Sequence, residues 1–318
     1  MSVTSGTVLP GGRRYLLLDG GTGRELLKMG APFRQPEWSA LALMEAPEYV
    51  SRVHRKYIAA GADVITTNSY AVVPFHIGEE RFAADGAALA GLAGRLAREA
   101  VRASRREVLV AGSLPPVCGS YRSDLFDPSV ARPVLQTLRR ALEPYVDVWL
   151  SETVSLRAEM ELMHEILSGT DRPWWVSYTL SDDPAAEVGA CLRSTEPVGP
   201  AVVHAVQLGA AAVLFNCCQP EVIGEALTAA RQSLSAEISR DGSPDGLVHS
   251  VLLGAYANAF GPQSDSAAAN AELSDIRKDL GPPEYLAWAR HWLANGARIL
   301  GGCCGVGPEH IELMREYL

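Results

Sequence analysis

Four of the six cysteines in this 318-residue chain lie in two adjacent pairs, Cys217-Cys218 and Cys303-Cys304. Six cysteines are too few for a disulfide scaffold in a chain of this length, and neighbouring cysteines rarely bond to each other. Paired cysteines indicate metal or thiol chemistry in a reducing compartment, so we expect a cytoplasmic protein. Zinc prefers thiolate ligands, and a catalytic zinc site keeps one corner of its tetrahedron open. Three converging cysteines would leave such a corner.

Eight short apolar runs recur along the chain, and each ends at a polar or glycine-rich turn. Near-continuous apolar runs suit strands that are buried on both faces of a parallel sheet. Eight strand–helix units in about 300 residues predict an α/β fold, a (β/α)8 TIM barrel, with a doubly wound open sheet as the alternative. The predicted strands are 15–19, 63–67, 108–113, 146–152, 174–178, 212–216, 252–256 and 297–301.

The segments between these runs have helical spacing, and several begin with proline, whose missing N–H loses no hydrogen bond in a first turn. The predicted helices are 47–60, 83–104, 128–143, 157–167, 198–208, 220–234, 283–295 and 308–318. Gly61 and Gly296 are expected to end the helices that precede the second and eighth strands. Three long polar segments read as insertions. Segments 181–196 and 261–281 should lie over the active face, and 235–250 should lie underneath it.

Composition and net charge argue against several classes of binding partner. Residues 1–14 are rich in Gly, Ser, Thr and Pro and predict a flexible lead-in, followed by a single barrel domain at 15–318. The net charge of −9 argues against binding nucleic acid or an anionic membrane surface. No stretch approaches the roughly 18 apolar residues of a membrane span. We therefore expect small-molecule partners, with a homo-oligomer left open.

The predicted barrel places three of the cysteines where functional side chains are expected. Functional side chains of such barrels gather at the carboxyl ends of the strands. Cys217 follows the sixth strand, and Cys303 and Cys304 follow the eighth, so the three sulfurs should converge beside strand seven. Gly301 and Gly302 would let the backbone turn both later cysteines toward one ion.

The remaining candidates near this chemistry are weaker. Cys118 and Cys191 are expected to be ordinary buried cysteines, and the role of Cys218 is ambiguous. His310 could supply a fourth metal ligand, but the last predicted helix should carry it away. A redox dithiol at Cys303-Cys304 stays open, although the pair lacks the CxxC spacing that favours disulfide closure.

At these residues the chain resembles the homocysteine S-methyltransferase family, which includes betaine- and S-methylmethionine-dependent enzymes and the homocysteine half of cobalamin-dependent methionine synthase. The resemblance runs from about residue 16 to residue 311. Its most specific parts are Asn216-Cys217 and the Gly-Gly-Cys-Cys-Gly run at 301–305. These are similar to the family's zinc-ligand motifs, which implies Zn2+ held by Cys217, Cys303 and Cys304.

Three further strand ends carry the resemblance and imply substrate contacts. The Leu-Asp-Gly-Gly run at 18–21 implies that Asp19 binds the substrate ammonium, and Glu152 in the fourth-strand Glu-Thr pair would supply a second carboxylate. The Thr-Thr-Asn-Ser-Tyr run at 66–70 implies that Thr67 lies at the substrate carboxylate. The full set of candidate substrate contacts is Asp19, Gly20, Thr67, Glu152, Ser177 and Asn258.

The activity implied by the resemblance is methyl transfer from a small sulfonium donor to the thiol of homocysteine, which gives methionine (EC 2.1.1 class). A cobalamin carrier needs a separate domain, for which the barrel leaves no room in the chain, so a small donor used directly is favoured. S-methylmethionine is placed ahead of S-adenosylmethionine and betaine. The loops at 113–121 and 256–259 depart from the family pattern, so the donor stays open. Alternatives are a selenocysteine or other thiol methyltransferase, and a non-catalytic zinc- or thiol-binding barrel that serves as partner subunit of another methyl-transfer system.

Overall fold

The structure is a computed structural model that describes residues 9, 12–182, 189–241, 251–263 and 275–318. Within these residues, eight parallel strands form one sheet whose neighbours run in sequence order, and the eighth strand pairs with the first. A parallel bridge between Leu18 and Val64 joins the first strand to the second and closes the ring. The predicted (β/α)8 barrel is confirmed. The strands are β1 (Leu16–Leu17), β2 (Val64–Thr66), β3 (Leu109–Leu114), β4 (Val148–Val154), β5 (Trp174–Tyr178), β6 (Ala212–Asn216), β7 (Leu252–Tyr256) and β8 (Ile299–Leu300).

Helices surround the barrel and connect each strand to the next. In the described part of the chain they are α1 (Thr22–Lys28), α2 (Ser39–Glu45), α3 (Pro47–Ala60), α4 (Pro74–Ile77), α5 (Glu79–Ser104), α6 (Pro128–Leu142), α7 (Arg157–Leu167), α8 (Val198–Gln207), α9 (Pro220–Asp241), α10 (Pro282–Ala294) and α11 (Pro308–Tyr317). Gly61 and Gly296 adopt left-handed φ values of 109° and 101°, as expected at these helix ends.

Two sequence predictions about helices need correction. The insertion predicted at 235–250 begins as helix, because α9 continues to Asp241, and residues 242–250 lie outside the described residues. The short helices α1 and α2 between the first two strands were not predicted, since each spans only seven residues. Two turns are too few to display a helical hydrophobic period. The insertions at 181–196 and 261–281 are described only in part.

The core has two layers, because side chains of a strand alternate between the two faces of the sheet. Leu16 and Leu18 point into the barrel and pack with Leu150, Leu214 and other residues of an inner cluster. Leu17 points outward, into the larger cluster between sheet and helices. This double burial explains why the strands read as continuous apolar runs.

Only part of the predicted lead-in is described. Leu9 is buried in the inner cluster, and Arg13 forms an ion pair of 3.4 Å with Asp63. The division into a lead-in and a single domain stays a prediction. Among the described helices, none combines the length and the apolar character needed to cross a membrane.

Candidate active site

The turns after β6 and β8 bring three sulfurs together. The Sγ atoms of Cys217, Cys303 and Cys304 all lie within 4.8 Å of one another, and Cys217 and Cys303 are separated by 2.8 Å. Among the described residues, this is the one group of three or more His, Cys, Asp or Glu side chains close enough to share a metal ion. The predicted convergence is confirmed.

The segment after β7 holds both cysteine turns in place. The backbone N–H of Asn258 donates to the carbonyl of Cys218 (3.0 Å), and the N–H of Ala259 donates to the carbonyl of Cys304 (2.8 Å). The N–H of Cys303 in turn donates to the carbonyl of Ala257 (2.9 Å). Three consecutive residues therefore connect the two turns, which fixes the separation of the sulfurs.

Asn216 holds two strained residues at the ends of β4 and β6. Thr153 and Cys217 have left-handed φ values of 59° and 53°, a conformation that costs a non-glycine residue about 1–3 kcal/mol. The Asn216 side-chain oxygen accepts from the backbone N–H of Thr153 (3.2 Å) and the Ser177 hydroxyl (2.7 Å). Its amide donates to the Thr153 hydroxyl (2.9 Å). These bonds hold the strained Thr153 directly and fix Asn216, the residue before Cys217. The Cys217 carbonyl in turn accepts from the Thr179 hydroxyl (3.2 Å).

The glycines before Cys303 are required by close packing. A Cβ atom on Gly301 would lie 2.5 Å from Cβ of Leu18, and one on Gly302 would lie 2.0 Å from a methyl group of Val306. No real Cβ atom fits at such distances, so the turn that presents Cys303 and Cys304 depends on both glycines.

Asp19 lies at the end of β1 on the wall of the pocket that contains the cysteines. Its two carboxylate oxygens accept hydrogen bonds from the backbone N–H (2.8 Å) and hydroxyl (2.9 Å) of Thr66. Burial raises the pKa of Asp19 to about 7, although these bonds oppose the shift. Within the described contacts, Asp19 has no Lys, Arg or His partner.

Glu152 at the end of β4 lines the same pocket. Its carboxylate accepts a hydrogen bond of 2.7 Å from the Ser113 hydroxyl. Burial raises the pKa of Glu152 to about 7, and the negative charges of Cys217 and Asp19 add to the shift. Neither carboxylate forms an ion pair with a described Lys, Arg or His, so a substrate ammonium would stabilise the charged form of both.

The other predicted substrate contacts differ in whether they lie on the pocket wall. Gly20 lines the pocket, where a Cβ atom would lie 2.3 Å from the carbonyl oxygen of Val306. Ser177 and Asn258 are fully buried and do not belong to the pocket wall. Ser177 donates to Asn216, whereas the Asn258 amide has no hydrogen-bond partner among the described residues.

Thr67 lines the pocket, but its hydroxyl is already engaged. It accepts from the backbone N–H of Ser113 (3.0 Å) and lies 2.9 Å from the Ser69 hydroxyl. Because Ser69 donates its own hydrogen to the carbonyl of Ser113, Thr67 must be the donor to Ser69. The predicted contact between Thr67 and a substrate carboxylate stays a prediction.

The three thiols form one electrostatic unit. Hydrogen bonds from Cys303 and Cys304 lower the pKa of Cys217 well below its usual range. The same bond, together with burial, raises the pKa of Cys303. The cluster therefore accepts one negative charge readily and a second only with a compensating cation, which is the property of a metal-ligand set.

The remaining cysteines and His310 lie outside this cluster. Cys191 and Cys218 are buried as expected, whereas Cys118 is only half-buried, which corrects the prediction of a buried residue. Residues 115–117 and 119–121 of its loop are buried, and Cys118 is the one residue between them that is partly exposed. The His310 ring contacts the N–H of Gly307 (3.1 Å) and the carbonyl of Leu280 (3.3 Å) and is not part of the metal-ligand group.

The sequence analysis missed four residues of the pocket wall, which we call the mouth of the pocket. Three of them come from the connection between β1 and β2, and Phe260 comes from the loop after β7. They follow strands at the carboxyl end of the barrel, a position rule that could have indicated them, but they carry no motif. The missed residues are Arg24, Phe33, Trp38 and Phe260.

Comparison with known proteins agrees with this geometry. Residues 16–318 match the model of the family described as homocysteine S-methyltransferase. The chain belongs to the homocysteine S-methyltransferase family. This resemblance, inferred from the two cysteine motifs, is therefore confirmed, and the match covers the entire barrel.

Individual members of the homocysteine S-methyltransferase family align along nearly the full chain. The homocysteine S-methyltransferase of Escherichia coli is 30% identical over 328 residues, which cover 94% of each protein. The selenocysteine Se-methyltransferase of Brassica oleracea is 25% identical and covers 96% of this chain and 89% of its own length. The metallated form of the E. coli homocysteine methyltransferase MmuM superposes with a TM-score of 0.72 at 26% identity, covering 96% of this chain and 97% of MmuM.

Proposed function

We propose that this family member transfers a methyl group from S-methylmethionine to the thiol of homocysteine. The observation that carries the proposal is the group of three cysteine sulfurs on one pocket wall with two carboxylates, those of Asp19 and Glu152. Such a site can hold the sulfur and the ammonium of one amino acid at the same time. A methyltransferase active on a thiol amino acid in the cytoplasm is the function that fits this pairing best.

Cys217, Cys303 and Cys304 would hold Zn2+, because three thiolates with one open corner form a catalytic zinc donor set. Bound zinc would supply a homocysteine thiolate at neutral pH, where the unbound thiol is mostly protonated. Asn216 and the segment at 257–259 hold the ligand turns at a fixed separation. The protein therefore contributes to this part of the reaction by holding the three cysteine ligands in position.

Asp19 and Glu152 would orient homocysteine by binding its ammonium between them. Loss of contact with water raises the pKa of both carboxylates to about 7, so an arriving cation favours ionisation of both. The ammonium then fixes the amino-acid end while the thiol lies at the cysteines. Holding the nucleophile in one orientation contributes to rate by reducing the entropy lost in the reaction.

The donor would lie against aromatic side chains of the pocket wall, among them Phe33, Trp38, Tyr70, Tyr121 and Phe260. Aromatic faces attract cations, so a sulfonium is favoured over a neutral donor at this position. In the reaction the homocysteine sulfur forms a bond to the methyl carbon, and the donor's sulfur–methyl bond breaks. Its electron pair stays on the donor sulfur, which becomes a neutral thioether, and the thiol proton is released.

The test is the zinc content of protein purified under reducing conditions, measured together with methionine formation from homocysteine and S-methylmethionine. One zinc per chain with turnover is the expected result. Zinc without turnover on any sulfonium or betaine donor would favour the non-catalytic partner-subunit alternative. Metal-free reduced protein that forms a Cys303–Cys304 bond on oxidation would favour the redox alternative.

Selenocysteine is the second acceptor to compare, because one relative is a selenocysteine Se-methyltransferase. The contacts described at Asp19 and Glu152 recognise the ammonium and do not distinguish sulfur from selenium. The ratio of kcat/KM for homocysteine and selenocysteine, measured with the same donor, decides between the two acceptors.

A further inference from the structure

A buried ion pair between Asp182 and Arg193 joins several loops at the carboxyl end of the barrel. Both residues belong to the insertion after β5, and their side chains are 3% and 0% exposed. The Arg193 guanidinium donates to the Asp182 carboxylate (2.8 Å) and to the backbone carbonyl of Gln263 in the insertion after β7 (2.8 Å). The same carboxylate accepts from the backbone N–H groups of Gln219 (2.7 Å) and Gln263 (2.9 Å). Bonds from three loops therefore fix the guanidinium in one place.

Tyr121, in the loop after β3, lies against this guanidinium. The guanidinium carbon of Arg193 is 4.4 Å from the centre of the Tyr121 ring, which is the distance of a cation–π contact. Tyr121 has a left-handed φ of 67°, and a non-glycine residue keeps that conformation only where its surroundings enforce it. A buried cation that is fixed independently of Tyr121 can supply this enforcement.

The Tyr121 side chain connects the ion pair to the cysteines. Tyr121 lines the pocket together with Cys217, Cys303 and Cys304. The bonds from Cys303 and Cys304 lower the pKa of Cys217 most, and a hydrogen bond from Tyr121 adds to this effect. Arg193 is not among the described residues that line the pocket, so it can influence the cysteines only through its neighbours.

We propose that Arg193, fixed by Asp182, is a positioning residue that holds the strained Tyr121 against Cys217. Groups that hydrogen-bond to metal ligands orient them, and their loss commonly reduces metal affinity or activity by about tenfold to a hundredfold. The inference rests on the proposed methyl transfer, because its effect on rate is expressed through the three-cysteine site. It adds to that function a support that the described ends of the insertion after β5 provide.

The direct test is the fluorine NMR signal of fluorotyrosine incorporated in place of Tyr121, which requires neither metal nor turnover. The compared variant is Asp182→Asn/Arg193→Met, called the uncharged pair, which leaves no buried charge without a partner and should therefore fold. The chemical shift of the fluorine should move toward that of the denatured protein in the uncharged pair, because the ring loses its cationic neighbour. An unchanged chemical shift in the folded variant would overturn the proposal.

The kinetic test measures kcat and both KM values in the uncharged pair. At saturating substrates kcat should fall by about tenfold to a hundredfold. The homocysteine KM should stay within about twofold, because Asp19 and Glu152 are held by other contacts. In a Tyr121→Leu background the uncharged pair should lower kcat by less than about threefold, since the residue through which Arg193 acts is already gone. Losses that multiply in that background would overturn the proposal.

Two control variants separate positioning from a loss of stability. Arg193→Lys keeps the buried charge beside the ring, so it should retain more of kcat than the uncharged pair does. Arg98→Met removes the partner of Asp147 (2.7 Å) just before β4, at the amino end of the barrel, and should leave kcat and the fluorine signal unchanged. If kcat followed only the midpoint of chemical denaturation across all these variants, the ion pair would have a merely structural role and the proposal would be wrong.

Failure of the proposed function is distinguishable from failure of this inference. Absence of methyl transfer by the zinc-loaded wild-type protein would reject the proposed function alone. The fluorine measurement would still decide the role of Arg193 in that case: a changed chemical shift in the uncharged pair supports the positioning of Tyr121, and an unchanged one overturns it.

Discussion

The inner end of the pocket and its mouth are built by different means. At the inner end, strand ends and backbone hydrogen bonds place Cys217, Cys303 and Glu152, and the Asn216 side chain has each of its two polar atoms bonded. At the mouth, residues from two separate segments pack on each other, as Arg24 of α1 does on Phe260 of the loop after β7. The inner end has the fixed geometry that a metal-ligand set needs, whereas we expect the mouth to contribute to the choice of donor.

This difference predicts that substitutions at the two ends of the pocket impair different properties of the enzyme. Changes at the inner end should reduce metal retention and turnover together, because the geometry is shared among several groups. Changes at the mouth should alter the donor KM and leave kcat and metal content in place. The predictions below test that division, from the largest expected effect to the smallest.

Cys303→Ser should give the largest loss. A serine hydroxyl is a poor replacement for a thiolate, so the cluster falls to two sulfur ligands and turnover should fall by at least about a thousandfold. Zinc content by elemental analysis and methionine formation are the two measurements. Cys118→Ser, a half-buried cysteine outside the cluster, is the matched control and should retain both.

Normal zinc content and activity in Cys303→Ser would contradict the role of the inner end. Loss of activity in Cys118→Ser would indicate instead that general thiol chemistry, and not the three-sulfur cluster, supports the reaction.

Asn216→Leu should weaken the inner end without removing a ligand. The substitution removes the side-chain acceptor of the Thr153 N–H and of the Ser177 hydroxyl, and it removes the donor to the Thr153 hydroxyl. An unsatisfied buried polar group costs about 1–3 kcal/mol. We expect the free energy of unfolding to fall by about 3 kcal/mol and zinc to exchange faster with a chelator. Chemical denaturation and the rate of zinc transfer measure the two effects.

The left-handed backbone of Thr153 allows a sharper version of this test. Glycine adopts a positive φ without strain, so Thr153→Gly removes one reason for needing Asn216. The destabilisation caused by Asn216→Leu should therefore be smaller in the Thr153→Gly background, by at least about 1 kcal/mol. Additive losses would show that Asn216 does not act through the strained residue.

The sequence predicted much of the inner end and little of the mouth, for a physical reason. All eight strands and the convergence of Cys217 with Cys303 and Cys304 follow from the burial period of the strands and the rule that strand ends meet. The mouth depends on the connection between β1 and β2, where α1 and α2 each span only seven residues. A residue such as Trp38 acquires its place from the path of that connection, which no local pattern encodes.

Hydrogen bonding was equally hard to predict. Thr67, Ser177 and Asp19 are all polar residues at strand ends, yet the Thr67 hydroxyl and Ser177 are bonded to neighbouring protein groups. Asp19 keeps a raised pKa despite two bonds. The identity of a polar residue does not reveal whether a neighbour already satisfies it, because that depends on distances of a few tenths of an ångström between separate strands.

Asp19→Asn should produce a pH-dependent loss of substrate affinity. Because the pKa of Asp19 is raised to about 7 by burial, its charge appears between about pH 6 and 8, and only the charged form attracts the homocysteine ammonium. The ratio of the homocysteine KM in Asp19→Asn to that in wild type should rise with pH through this window, reaching about tenfold or more. The ratio cancels the titration of groups common to both proteins, and a flat ratio would contradict the assignment.

The free energy of unfolding should also distinguish wild type from Asp19→Asn. For this quantity the charged form of Asp19 is unfavourable, because it is buried without a cationic partner. A carboxyl group whose pKa is raised on folding from 3.8 to about 7 contributes stability that is present below pH 3.8 and is lost as pH rises through 7. Asparagine does not ionise, so the free energy of unfolding of Asp19→Asn should fall less between pH 4 and 7 than that of wild type. Denaturant titrations at three pH values measure the difference, and parallel curves would show that folding does not raise the pKa of Asp19.

Phe33→Leu should give the smallest effect and confine it to the donor. Leucine keeps an apolar contact but removes a ring from the aromatic wall, and a cation–π contact contributes about 0.5–2 kcal/mol. We expect the KM for S-methylmethionine to rise by about threefold to thirtyfold, with zinc content and the homocysteine KM unchanged. Phe126→Leu, a partly buried ring packed against the outer core, is the matched control. A fall in zinc content in Phe33→Leu would break the division between the two ends, because a residue of the mouth would then be supporting the metal-ligand set.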